Sequence, residues 1–151
     1  MNEEHVSIIP TKGLLSRTKK KYGSKSARKG EPSFIMTDEM KRLSTPWSVA
    51  SIRAGQIDPM SLPAGVILDA AAGSGVQLIA FSKILNRPAL GIEIDEEVAR
   101  ICASNMLLNS DGEVQRSLDR VLSGDGRAAE NALSKYWSSL RDGGVRAHPP
   151  I

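Results

Sequence analysis

The chain reads as an α/β protein, a parallel sheet with helices on both faces, because short apolar β-branched runs alternate with stretches of helical periodicity and each run closes on a polar turn. The first run, Val66-Ile-Leu-Asp69, opens into Ala70-Ala-Ala-Gly73-Ser-Gly75. The second, Ala89-Leu-Gly-Ile-Glu-Ile94, follows a helix stop at Asn86-Arg-Pro88. Between them Val76 to Leu85 carries apolar residues at helical spacing, which makes a βαβ unit. With 151 residues there is room for one domain, at ~100–200 residues per domain.

The remaining elements follow in order. Asp95 is placed to cap the next helix, with Glu96 and Glu97 in the first turn, where the helix dipole favours anions. Val98, Ile101, Cys102, Met106 and Leu107 form its apolar face, and it ends near Asn109. Val121-Leu-Ser-Gly-Asp125 is a third strand and Ala128 to Leu140 a further helix, with Val145 to Ile151 as the beginning of a fourth strand. Upstream, the pattern turns helical at Thr37. Ser44-Thr45-Pro46 then supplies a capping hydroxyl and a proline at the first position of a helix over about Pro46 to Ala54, with Val49 and Ile52 facing a core. Trp47 on that helix serves either as packing or as a platform for a base.

Composition excludes several classes. Cys102 is the single cysteine, so there is no internal disulfide, and His5 and His148 are too few for a zinc cluster. The longest apolar stretches, Gly65 to Ala72 and Val76 to Phe81, fall well short of the ~20 residues a membrane span requires. Met1-Asn-Glu-Glu has neither the basic start nor the apolar middle of a signal peptide, so the expected location is cytoplasmic. The net charge of +3 hides an asymmetry: residues 1–30 hold eight Lys/Arg against Glu3 and Glu4, whereas the remainder holds twelve against fifteen acids. The segment 11–30 has few apolar groups to offset an ordering cost of roughly 1–2 kcal/mol per residue, which predicts a flexible basic arm. Such an arm, through Lys19, Lys20 and Lys21, attracts a polyanion such as RNA; the competing reading is a solubilising tail.

Ligands of parallel sheets sit at the carboxyl ends of the strands. That edge receives Asp69 with the Gly73/Gly75 turn, then Glu93, then Asp125. A glycine turn lets a ligand approach the backbone, and an acid twenty residues after Gly73 suits the two hydroxyls of a ribose. A nucleoside ligand is therefore expected. No Gly-Lys-Ser/Thr completes a P-loop, and Leu78 stands where the third glycine of a dinucleotide fingerprint belongs, which weakens an NAD reading.

Val66-Ile-Leu-Asp69-Ala-Ala-Ala-Gly73-Ser-Gly75 resembles the first motif of the class I S-adenosylmethionine-dependent methyltransferases. The resemblance implies a Rossmann-like methyltransferase fold with S-adenosyl-L-methionine as cofactor. It places Asp69, Ala71, Gly73 and Gly75 around the methionine part, Glu93 on the ribose, Ile94 against the adenine, and Asp125 with Gly126 at the adenine amine. A narrower resemblance, carried by Ser44-Thr45-Pro46-Trp47-Ser-Val-Ala-Ser-Ile-Arg53 and by Asn105, is to the RNA cap guanine-N2 methyltransferase-like proteins and their prokaryotic relatives. It implies RNA as acceptor, through an amine such as guanine N2, and makes Thr45 and Trp47 candidates for binding it. The division expected is a basic arm (1–34), a helical lead-in (35–64) and a partial cofactor-binding domain (65–151). A complete fold of this class has seven strands, so the chain is expected to be truncated after three or four and inactive alone, with another chain as a possible completion of the sheet. His148-Pro149-Pro150-Ile151 lacks the acid or amide and the aromatic of the family's fourth-strand motif, so no catalytic residue is assigned. The alternative is a non-catalytic nucleoside- or RNA-binding half-domain.

Overall fold

Fully apolar runs bounded by turns form the centre of a sheet, as expected of strands covered on both sides. The computed structural model describes residues 5–26, 28–110 and 118–142. Its elements are β1 (Val6–Ile8), α1 (Leu14–Tyr22), β2 (Lys25–Ser26), β3 (Ser33–Phe34), α2 (Asp38–Leu43) and α3 (Trp47–Gly55), followed after a short 3-10 turn by β4 (Ile67–Asp69), α4 (Val76–Leu85), β5 (Ala89–Glu93), α5 (Glu96–Leu108), β6 (Arg120–Gly124) and α6 (Ala129–Asp142). The main sheet has the order β1-β6-β5-β4, and β2 pairs with β3 in a separate ribbon. Strands β4, β5 and β6 are parallel, with Asp69 opposite Gly91 and Glu93 opposite Ser123, while β1 adds an antiparallel edge to β6. This is an α/β arrangement with a mostly parallel sheet, compatible with a Rossmann-like fold.

Side chains alternate across β5 and β6 to make two cores. Leu90, Ile92 and Leu122 pack with Ala132, Tyr136 and Leu140 of α6 on one face. Ala89 and Val121 join Leu78, Ile79, Ala99 and Cys102 of α4 and α5 on the other. Helices thus cover both faces, as the sequence predicts. No helix of the described residues is long and apolar enough to cross a membrane.

Three expectations are corrected, and one strand is added to those expected. The segment 11–30 is not a flexible arm throughout, since residues 14–22 form α1 and lie along α5. Leu14 and Thr18 are buried there, Thr18 Oγ1 donates to the Leu14 carbonyl (2.8 Å) and accepts from Ser104 Oγ (2.8 Å), and Tyr22 donates to Glu97 (2.7 Å). Leu14, Thr18 and Tyr22 recur every four residues, so one helical stripe supplies enough burial to order the segment while the lysines face water. On α3, Ala50 and Ala54 are the buried residues, whereas Val49 and Ile52 are exposed (38% and 64%); small residues let α3 approach α4 closely. Ser44 does not cap α3, because no side chain bonds its first turn and the Ser44 hydroxyl pairs with that of Ser74 instead (2.8 Å). Finally, the short Val6-Ser-Ile run, which carries no strand signal of its own, forms β1. The expected fourth strand and His148 lie outside the described residues.

Candidate functional site

The carboxyl ends of β4 and β5 open into a cleft of about 460 Å³, walled on the far side by α2 and the turn that follows it. The floor is built from local polar geometry. Asp69 ends β4 and its Oδ1 accepts from the Ala71 N–H (3.0 Å), an Asx turn that starts the glycine loop. The Ala72 N–H donates to the Ile92 carbonyl (3.0 Å), tying the loop to β5. Gly73 (φ 54°) and Gly75 (φ 91°) adopt left-handed backbone, which turns the chain into α4. Behind the loop, a Cβ on Gly75 would press on Cys102 Sγ, so α5 also requires glycine there. Cys102 itself is fully buried, and that burial pushes its thiol well above the ordinary range.

Glu93 connects the two strand ends. Its Oε1 accepts from the Gly73 N–H (3.1 Å) and its Oε2 from the Asp95 N–H (3.0 Å). Asp95 caps α5 by accepting from the Val98 N–H (3.1 Å), as expected, and it also lines the cleft. The far wall is held by Asn105, fully buried, which donates to the carbonyls of Ile35 (2.9 Å) and Ser74 (2.8 Å) and accepts from the Ile35 N–H (2.6 Å). Thr37 caps α2 by accepting from the Met40 N–H (3.2 Å).

Of the residues expected at a site, the cleft brings together Ala71, Gly73, Glu93 and Thr45. Asp69 and Gly75 shape the loop from behind without lining it. Ile94, 72% exposed, lies just past the end of β5. Asp125 follows β6 and is engaged by Arg127, whose Nη2 donates at 2.7 Å; that guanidinium holds the carboxyl below the usual range. Gly126 packs against the β4–α4 turn, where a Cβ would collide with the Ala70 carbonyl. Trp47 is half-buried and packs on the core, with its ring 6.0 Å from that of Phe34 and tilted 39° to it. Lys19, Lys20 and Lys21 are exposed on α1.

Sequence reasoning missed the far wall, in which Thr37, Glu39, Met40, Leu43 and Ser44 join the cleft, and it missed that Gln77 lines it from α4. Among the described residues the lining holds three carboxylates, Glu39, Glu93 and Asp95, and no lysine or arginine. Nor does any group of His, Cys, Asp or Glu among the described residues have the arrangement of a metal site. Comparison with protein-family models, with curated proteins and with solved structures found no match to this chain.

Proposed function

We infer that the cleft binds S-adenosyl-L-methionine and that the chain is the cofactor-binding part of a methyltransferase acting on RNA. The observation that carries this reading is the sign of the lining. A cleft with Glu39, Glu93 and Asp95 and no basic residue favours a ligand bearing a sulfonium and an ammonium. It disfavours a dinucleotide, whose pyrophosphate brings negative charge.

Glu93 supports the nucleoside part. Each of its oxygens takes one backbone N–H, and a carboxylate has about four lone-pair positions, so it retains capacity for a ribose diol. Exposed Ile94 beside it offers an apolar surface to the adenine. Asp125 serves the adenine amine only if it exchanges Arg127 for the ligand. When bound, the cofactor supplies an electrophilic methyl; an RNA amine is the proposed acceptor, in keeping with the basic N-terminal segment.

Calorimetric titration tests the reading directly. S-adenosylmethionine and S-adenosylhomocysteine are expected to bind with one site per chain, and NAD is not. Binding of NAD in preference to both overturns it.

A further inference from the structure

We propose that a recess between α1 and α5 is a phosphate-binding site for the backbone of an RNA that runs on toward the cofactor cleft. The proposal rests on the RNA part of the reading above and adds the surface that engages it. The recess, about 360 Å³, is lined by Arg17, Lys21 and Arg100 together with Thr18, Tyr22 and Glu97. That volume lies within the ~300–1,000 Å³ of small-molecule sites.

Its charges are unequal in availability. Arg100 is committed to Glu96 (2.9 Å) and Glu97 (3.4 Å), and so frames the recess. Tyr22 and Lys21 both reach Glu97, at 2.7 Å and 3.4 Å, and the tyrosine hydroxyl is the larger reason that this carboxyl stays ionised below its usual range. Arg17, one helical turn before Lys21, has no carboxylate within ion-pair distance among the described residues; its Nη1 rests on the Lys12 carbonyl (3.1 Å). Its guanidinium fork suits a phosphate oxygen pair. Lys19 and Lys20 extend the positive surface along the exposed side of the same helix.

Position links the recess to the cleft. Helix α1 runs along α5 so that Tyr22 meets Glu97 and Thr18 meets Ser104. Glu97 therefore belongs to the recess, while Asp95 and Val98, in the same first turn of α5, line the cleft. A strand gripped at Arg17 and Lys21 lies beside the first turn of α5, the turn whose Asp95 and Val98 line the cleft.

The test is fluorescence polarisation of a short labelled single-stranded RNA against the full chain over a range of salt. Arg17→Gln combined with Lys21→Gln is expected to weaken binding at least fivefold at low salt. It should also lower the slope of log affinity against log salt by ~0.7 for each phosphate that the protein no longer neutralises. Arg17→Gln alone, which disturbs no ion pair, should give about half of that slope change and keeps the test valid should the double variant unfold. Lys135→Gln, which like Arg17→Gln alone removes one charge but on α6 across the sheet, should change neither quantity. S-adenosylhomocysteine titrated into the same variants should bind as to the wild type. Wild-type chain that fails to bind RNA, or Arg17 variants indistinguishable from Lys135→Gln, overturn the phosphate site. Failure of S-adenosylhomocysteine to bind the wild type instead strikes the cofactor reading alone.

Discussion

Glu93 shows how one carboxylate ties two segments of backbone together at the sheet edge. By accepting from the Gly73 and Asp95 N–H groups it fixes the spacing between the glycine loop and the start of α5, so the loop is set before any ligand arrives. Its place after the second strand was legible because an acid ending an apolar run is costly unless it meets partners at the sheet edge. The engagement of Asp125 by Arg127 was not legible, since a two-residue separation in a turn gives no periodic signal. If Glu93 receives the ribose hydroxyls, Glu93→Ala loses charge-assisted hydrogen bonds of roughly 1.5–3 kcal/mol each. S-adenosylhomocysteine affinity should then fall at least tenfold, a factor of ten being ~1.4 kcal/mol. Asp95→Asn keeps a side chain able to cap the Val98 N–H, and it should alter affinity by no more than about threefold. Calorimetry on both variants decides; a large loss in Asp95→Asn with none in Glu93→Ala removes the ribose role.

At the scale of elements, the cleft exists because the segment before β4 is folded back over the glycine loop. The joint is Asn105, which spans 70 residues to Ile35 and 31 to Ser74. No spacing in the sequence announces such a contact, so α2 was expected as a helix but not as a wall of the site. Helix α1 was hidden for another reason: its lysines dominate the composition, while its buried stripe is short, Leu14, Thr18 and half-buried Tyr22 with Leu15 beside it. The helices that were legible, α4 and α5, carry long apolar faces and end at Asn86 in left-handed conformation or begin at a capping Asp95. Asn105→Ala strips the Ile35 N–H and two buried carbonyls of their partners, at about 1–3 kcal/mol for each group left unsatisfied. Chemical denaturation should show a loss of at least ~2 kcal/mol. Asn105→Asp should be no better, because a carboxylate cannot donate to the Ile35 and Ser74 carbonyls. Recovery of wild-type stability by aspartate would show that the carbonyl contacts are not what holds the wall.

For the molecule as a whole, the sheet separates two cores, and the central strand β5 is adapted to each. Leu90 and Ile92 fill the face toward α6, while Gly91 on the other face leaves room for Leu78 and Ala72, whose atoms would lie 3.0 and 3.1 Å from an added Cβ. The parallel arrangement of β4, β5 and β6 was legible in the βαβ pattern, whereas their order was not stated by it and the antiparallel partner β1 came from a three-residue run too short to distinguish. Just before β6, Asp119 accepts from the Ala89 N–H (2.9 Å), and burial pushes its carboxyl up to about 6 despite that bond and the nearby Arg120. Tyr136 lies close by, its own hydroxyl pushed up to about 12 by burial and donating to the Leu118 carbonyl (2.7 Å). A carboxyl whose folded pKa exceeds its unfolded value of ~3.9 holds its proton longer in the native state, so stability falls as pH rises from about 4 to about 6. Two units correspond to roughly 3 kcal/mol, present below pH ~4 and lost above pH ~6. Asp119→Asn keeps an oxygen for the Ala89 N–H and removes the titration. Thermal melts of both proteins should therefore show the asparagine variant gaining several degrees relative to wild type between pH 4 and pH 7.5, at ~2–4 °C per kcal/mol for a domain of this size. A difference in melting temperature that does not change with pH would mean that Asp119 titrates as an ordinary surface carboxylate.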